Sequence, residues 1–583
     1  MNRLRIGLAQ LDTAVGDLVG NVAKIIAALE ASRDRGADLV IFPELAVTGS
    51  PLGDLALRPD FIDANRSAIR EVAAAAVGIT TVVGFIDAGA ATHDAAAVVH
   101  DGEIVAVHRK HVLSRRGRYD DARYFRPGTD ATLIRLRGVD IGITIGEEVV
   151  RPEGGPLQRL IQHGASLVLN LDATPFRRGG WAELRARLVA HAVEDRVAIA
   201  RVGQVGGQDG LVFDGGSIVL DAAGTVRVEA EPFREALVFC DLELPAAEGD
   251  DEAPAPSAHG SGPGAVRRDS PAPEVERILL PMAARHGDVP ALARPSPVER
   301  DDVSDTYEAL VVGLRDYVRK NGFEQVLLGI SGGLDSALVA TIAVDALGAD
   351  AVRGVWLPSR YSSELSRTDA SALADALGIE LLTVPIEPLF EAALATLAPV
   401  FEGREPDLTE ENLQARIRGM ILMALSNKFG GLVLVTSNKS EQATGYSTLY
   451  GDMAGGLAVL GDVWKLRAYE LARWRNGRGA APVIPESTLT RAPSAELRPD
   501  QRDVDSLPPY EVLDPILERY VELGWGLDEF RDAGYDLELV RRITAMVDRN
   551  EYKRRQAAPV IRVTGRAFGI EWDLPPTTKR RGL

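Results

Sequence analysis

The chain is short of cysteine, of long apolar runs and of net positive charge, and each shortage removes a class of function. A single cysteine, Cys240, stands among 583 residues. That excludes an intramolecular disulfide and a thiolate metal cluster, and it fits a reducing compartment, with the cytoplasm as the expected location. No run of about 18 apolar residues is present to span a bilayer, and the opening "MNRLRIGLAQLD" meets its first acid, Asp12, too early for a secretory leader. A formal net charge of -19 repels polyanions, so neither nucleic acid nor a membrane is an expected partner. Small anionic ligands stay open wherever basic residues gather locally.

What is present is an alternation of strand-like and helix-like segments. "LRIGLAQLD", the amphipathic "NVAKIIAALEASRDRG", "ADLVIFPEL" and a further helix leading to "ITTVVGFID" follow one another from the start. That rhythm predicts an α/β fold. The length exceeds what one core organises, which predicts two large domains. Composition places the boundary: residues 1–245 read as the first domain, and residues 246–300, rich in Pro, Gly, Ala and acid, read as a linker with a mobile outer part. Residues 301–583 resume the helix and strand pattern. The basic end "TTKRRGL" reads as a solvated tail.

The sharpest local signal is "QVLLGISGGLDSALVATIAVDALG". An apolar strand ends at Gly329 and Ile330, and Ser331, Gly332, Gly333, Leu334, Asp335 and Ser336 then turn into a helix. Adjacent glycines let a backbone approach a phosphate closely, and the amides of a helix N-terminus point at it. No lysine follows the glycines, so the turn is not a Walker A loop. It reads as a different phosphate site, against the plainer possibility of an ordinary Gly-rich turn.

This loop resembles that of the ATP-pyrophosphatases, which adenylate an oxygen and release pyrophosphate. Taken with "ENLQARIRGMILMALSN", "VLVTSNKSEQATGYSTLYGDMAGG", "APSAELRPDQRDVDSLPPYEVLD" and "NEYKRRQAAPVIRVTGRAFG", it makes residues 300–570 similar to the NAD synthetases. The resemblance implies a Rossmann-like parallel α/β domain that activates the carboxylate of deamido-NAD with ATP and Mg²⁺. It implies Asp335 and Glu441 as metal ligands, Thr436 on ATP, and Asn412, Glu441, Tyr446, Ser447, Thr448 and Leu449 facing deamido-NAD. Lys465, Ser494 and Lys553 would lie near phosphates, Ser494 on ATP and Lys553 also on deamido-NAD, with Asp335, Lys465 and Lys553 as the catalytic set. Taken singly, Lys553 in "YKRR" could equally be a solvated charge and Asn412 a helix-surface amide. The family further implies a homo-oligomer, a dimer or higher.

Residues 1–245 resemble the nitrilase superfamily, an α-β-β-α sandwich, and within it the glutaminase domain fused to NAD synthetases. "VIFPELAVTGSP" carries Glu44 and "VHRKHVLSRRGRYDDARYFRPG" carries Lys110, matching the family's base and its oxyanion-stabilising lysine. The family's third member is a cysteine, and in "GITIGEEVV" its place is held by Gly146. Two positions that contact glutamine in the family differ too. Arg116 stands for a tyrosine, and the stretch from Thr174 ends in Gly180 where a lysine is usual. Cys240 lies in a separate strand, "ALVFCDLEL", as a small core residue.

The sequence therefore predicts an NAD synthetase supplied with free ammonia, its glutaminase half retained as a scaffold. Three other readings stay open: a glutamine-dependent enzyme with an unrecognised nucleophile, a non-catalytic nucleotide-binding or assembly protein, and a nitrilase-type amidase, which Gly146 opposes.

Overall fold

The computed structural model describes residues 1–116, 119–150, 155–247, 275–281, 292, 298, 300–479 and 481–583, with Arg116 and Tyr119 described by their backbone. It divides into two compact units. One comprises Met1–Pro175, Gly179–Gly206 and Phe213–Glu299, the other Phe176–Arg178, Gly207–Val212 and Arg300–Leu583. Among the described residues no helix is long and apolar enough to cross a membrane.

The first unit contains two sheets face to face. Among the described residues one runs in the order Ala236–Leu244, Asn2–Gln10, Leu39–Ile41, Thr80–Ala88, Thr92–His100, Glu103–Arg109. The other runs Val226–Glu229, Ile218–Leu220, Ala198–Gly203, Leu167–Asp172, Val139–Ile145, Ala131–Leu136, Val275–Leu279. The two-residue period of a strand explains the layering. Leu39 and Ile41 enter a core shared with Ile141, Ile143 and Leu169 of the opposite sheet. Val40 and Phe42 enter a second core with Ile25 and Leu29 of helix Leu18–Asp34 and Ile69 and Val72 of helix Pro59–Ala75. Each such side chain contributes about 1.5–3 kcal/mol on burial. Asp17 caps the first of these helices, accepting from the Gly20 amide at 2.9 Å. On the far side, helices Pro156–Gln162 and Gly180–Glu194 bring Leu157, Leu160 and Leu188 onto Val168 and Ile199. The layers are α-β-β-α, as the resemblance implied.

Val275–Leu279, inside the stretch read as linker, pairs in parallel with Ala131–Leu136 at the edge of the second sheet. The Leu280 amide donates to Arg135 O at 2.9 Å, and its side chain joins the inter-sheet core. Five residues embedded in a Pro- and acid-rich run are too few to show in composition. The outer linker lies outside the described residues.

The second unit is built on a parallel sheet, in the order Glu380–Thr383, Val352–Trp356, Val326–Gly329, Leu432–Val435, Leu457–Ala458 among the described residues. Its strands are short and almost wholly apolar, the pattern of a sheet covered on both faces. Strand order reverses between Val326–Gly329 and Leu432–Val435, and in such sheets the crevice beyond the carboxyl ends at this point is where ligands bind. Helices Tyr510–Val521 and Leu537–Arg549 build a further core around Leu513, Leu517, Phe530, Ile543 and Val547.

Candidate active site

Strand Val326–Gly329 delivers the glycine-rich turn to this crevice, and helix Leu334–Leu347 leaves it. Gly332 has φ +77, and a Cβ there would lie 2.5 Å from Ser366 O, so only glycine fits. The turn is held from outside: Gly332 O accepts from Arg491 Nη2 at 2.8 Å and from Thr488 Oγ1 at 3.3 Å. Inside it the Ser331 and Ser336 hydroxyls are 3.0 Å apart, and the Gly333 amide donates to Ser331 Oγ at 3.2 Å.

Charge converges directly behind the turn. Asp335, in the first turn of the helix, pairs with the Lys465 ammonium and accepts from Asn438 Nδ2 at 3.3 Å. Lys465 begins helix Lys465–Asn476, and Glu441 lies in helix Lys439–Thr444 with a carboxylate oxygen 4.0 Å from Lys465 Nζ. Burial, and next the charge of Asp335, push the Glu441 carboxyl well above its ordinary range. Burial alone would lower Lys465, but Asp335 and Glu441 more than offset it and the ammonium is held. The donors available here are carboxylate oxygens beside the glycine-rich turn, the hard set that suits Mg²⁺, and a divalent cation would offset the burial and the Asp335 charge that together raise Glu441.

A cavity of about 290 Å³ opens from this cluster. Of the residues expected to bind ATP, Gly329, Ile330, Ser331, Gly333, Leu334, Asp335, Ser336, Thr436 and Ser494 line it, while Gly332 completes the turn from behind. Val355, Leu357 and Leu422 give it an apolar wall. Of the residues expected on deamido-NAD, Glu441 and Tyr446 line it as well. Asn412, Ser447, Thr448, Leu449 and Lys553 form an adjoining cluster instead. Thr448 Oγ1 donates to Asn412 Oδ1 at 2.7 Å, and Lys553 Nζ donates to the carbonyls of Gly445 and Ser447, both at 2.8 Å. Lys553 is thus a clamp on that loop, and not a solvated charge. Sequence reasoning passed over Arg418, Arg491, Asp452 and Asp503, which also line the cavity. Arg418 was within reach: it follows Gln414 and Ala415 at helical spacing on their buried face, an unusual place for a charge. Burial lowers its guanidinium to about 10.

In the first unit Lys110 is enclosed by three carboxylates, Glu44 Oε1 at 2.5 Å, Asp121 Oδ2 at 2.8 Å and Asp94 Oδ2 at 3.3 Å. Burial raises Glu44 and Asp94, and the surrounding acids keep Lys110 charged against its own burial. Gly146, at the end of strand Val139–Ile145, has φ +58, and a Cβ added to it would meet Lys110 Cε at 3.3 Å and Glu44 Oε2 at 3.4 Å. A side chain at 146 would therefore point into the pair. Glu148 is fully buried and accepts from the Ile145 amide at 2.8 Å, with His108 Nε2 at 3.3 Å. Thr174 turns back to Asp172 at 2.8 Å, and Gly180 opens helix Gly180–Glu194. Arg116 pairs through its backbone with Tyr119, and its side chain lies outside the described residues. Cys240 packs in the inter-sheet core, where burial raises its thiol to about 12.

Both stretches of the chain that carry these clusters match known families. The carbon-nitrogen hydrolase family matches residues 5–249 and the NAD synthase family residues 306–557. The glutamine-dependent NAD(+) synthetase of Thermotoga maritima is 45% identical over 581 residues, covering 99% of each chain. That of Xanthomonas campestris is 45% identical over 588 residues, covering 99% of this chain and 98% of its own. A solved glutamine-dependent NAD+ synthetase from Acinetobacter baumannii, in complex with adenosine diphosphate, superposes with a TM-score of 0.73 at 36% identity, covering 99% of this chain and 98% of its own. With both family models matched in order along one chain and relatives covered end to end, the protein belongs to the family of two-domain NAD synthetases, a nitrilase-like domain joined to an NAD synthase domain.

Proposed function

We propose that the protein amidates deamido-NAD with ATP and free ammonia, and that its nitrilase-like domain does not hydrolyse glutamine. The deamido-NAD carboxylate attacks the α-phosphorus of ATP, the bond to pyrophosphate breaks, and an acyl-adenylate forms. Ammonia then attacks the acyl carbon, AMP leaves with the bonding pair, and the nitrogen sheds a proton. The amides of the Ser331 to Gly333 turn and the helix behind it suit the leaving pyrophosphate, and the apolar wall of Val355, Leu357 and Leu422 suits a purine. Lys465 offsets phosphate charge from the rear of the cavity. Asp335 and Glu441 would hold a magnesium ion, which when bound supplies the further neutralisation that lets two anions meet. Lys553 holds the loop Tyr446 to Leu449 against the nicotinate end of the substrate.

The ammonia reading is carried by Gly146: no side chain reaches the Lys110 and Glu44 pair from the strand end where the family has its nucleophile. Cys240, the chain's single thiol, is in the core and protonated. NAD formation measured with glutamine and with ammonium side by side tests the reading. Product with ammonium alone is expected, and equal rates from glutamine would overturn it.

A further inference from the structure

Behind the cavity, three hydrogen bonds close a ring that nothing in the chemistry above uses. Ser440 Oγ donates to Asp514 Oδ1 at 2.6 Å and accepts from the Lys465 amide at 3.0 Å, and the Leu466 amide donates to Asp514 Oδ2 at 2.9 Å. Ser440 and Lys465 are buried and Asp514 is 5% exposed. The ring joins three helices. Asp514 comes from Tyr510–Val521, Ser440 from Lys439–Thr444 immediately before Glu441, and Lys465 and Leu466 from the first turn of Lys465–Asn476.

We infer that Asp514 is a positioning residue for adenylation, setting where the helix that begins at Lys465 starts relative to the helix that carries Glu441. The inference rests on the adenylation reading of the cavity and is independent of the source of nitrogen. Two charged groups of the cluster around Asp335 are indexed to this one carboxylate, Glu441 through its neighbour Ser440 and Lys465 through its own amide. Asp335 approaches from a different element, helix Leu334–Leu347. If the start of Lys465–Asn476 moves, the ammonium moves against Asp335, and about 1 Å of misplacement at a reacting centre can cost roughly a hundredfold in rate. Tyr510, one turn earlier on the helix of Asp514, supports the same lysine. Its ring lies 5.6 Å from Lys465 Nζ, and its hydroxyl donates to Asp503 Oδ2 at 2.8 Å.

Asp514→Asn keeps the shape but leaves one accepting oxygen where there were two, so either the Leu466 N–H or the Ser440 O–H loses its acceptor. The measurement is deamido-NAD-dependent exchange of pyrophosphate into ATP on the full chain with Mg²⁺, which needs no ammonia, with rates divided by the ATP-binding stoichiometry from equilibrium dialysis so that misfolded protein does not count. The expected result is a fall of about 10- to 100-fold in exchange per site with KM for ATP and deamido-NAD moving less than about threefold, the mark of an interaction felt in the transition state. Ser440→Ala, which removes a single corner of the ring, should give the same split. The double variant should be no worse than the poorer single, because the two share one hydrogen bond. Exchange per site within about twofold of wild type in Asp514→Asn, or losses that multiply in the double variant, would overturn the assignment. Should Asp514→Asn fail to fold, unchanged exchange in Ser440→Ala overturns it alone. Wild-type exchange independent of deamido-NAD would instead defeat the adenylation reading.

Discussion

At residue scale, Gly146 makes the most exposed claim. Restoring cysteine there would direct a thiol at Lys110 and Glu44, but the backbone at φ +58 disfavours any side chain by about 1–2 kcal/mol. The resemblance also puts Arg116 and Gly180 where the family's glutamine contacts belong, which on that reading leaves the substrate poorly held. Gly146→Cys is therefore expected to hydrolyse glutamine far more slowly than the protein uses ammonium. The triple change Gly146→Cys, Arg116→Tyr, Gly180→Lys should exceed it non-additively, since the three serve one substrate. Glutamine hydrolysis by the single variant at the rate of ammonium-driven synthesis would refute this. Nearby, Glu148 invites a different measurement. Burial works against its charge, yet the His108 contact and the Ile145 amide hold the carboxyl below its ordinary value. A depressed carboxyl stabilises the fold at pH above the ordinary glutamate value, near 4.3, and that contribution disappears as pH falls through the folded value. Glu148→Gln should accordingly lose about 1–3 kcal/mol at pH 7, with the gap to wild type narrowing in urea unfolding below about pH 4.3. A gap that does not change with pH would show that the charge is not what the site stabilises.

At the scale of elements, the glycine-rich turn proposed to hold phosphate is a backbone device, so its failure should be a backbone failure. Gly332→Ala forces a Cβ to within 2.5 Å of Ser366 O at φ +77. Isothermal titration should find ATP affinity weakened by about tenfold or more, equivalent to about 1.4 kcal/mol, and wild-type affinity would mean that the turn does not touch phosphate. Asp335→Asn and Glu441→Gln each remove one carboxylate from the cluster, and either should abolish AMP formation, an effect worth several kcal/mol. Near wild-type AMP production would refute the metal assignment. The turn itself was legible because its chemistry is local: the apolar strand, two glycines and helix of residues 325–348 are contiguous. The α-β-β-α layers were legible through resemblance, while two-residue alternation, as at Leu39, Val40 and Ile41, shows why they hold. Arg418, Arg491, Asp452 and Asp503 were not legible as a set. They reach the cavity from separate loops and helices, and no spacing in one dimension records that convergence. The Ser440, Lys465 and Asp514 ring was hidden for the same reason, with two of its three bonds made by backbone amides that carry no residue identity.

At the scale of the whole molecule, helix Leu408–Phe429 turns Met420, Met423 and Phe429 outward, and Tyr450 lies exposed as well. In a chain of net charge -19 such apolar surface is better covered than wet. The protein is expected to be at least a dimer, with an active monomer in light scattering at micromolar concentration as the contrary result. The edge strand Val275–Leu279 bears on how the molecule can be taken apart. A cut at residue 245, where composition places the end of the first domain, would strip Ala131–Leu136 of its outer neighbour and leave a row of unsatisfied amides and carbonyls on an apolar strand. Such a border recruits whatever strand it meets, most often another copy. Fragments ending at 245 should therefore precipitate or form ladders where fragments ending after Leu280 remain dispersed, so the stretch that looks like a tether also serves as the hem of the sheet it leaves.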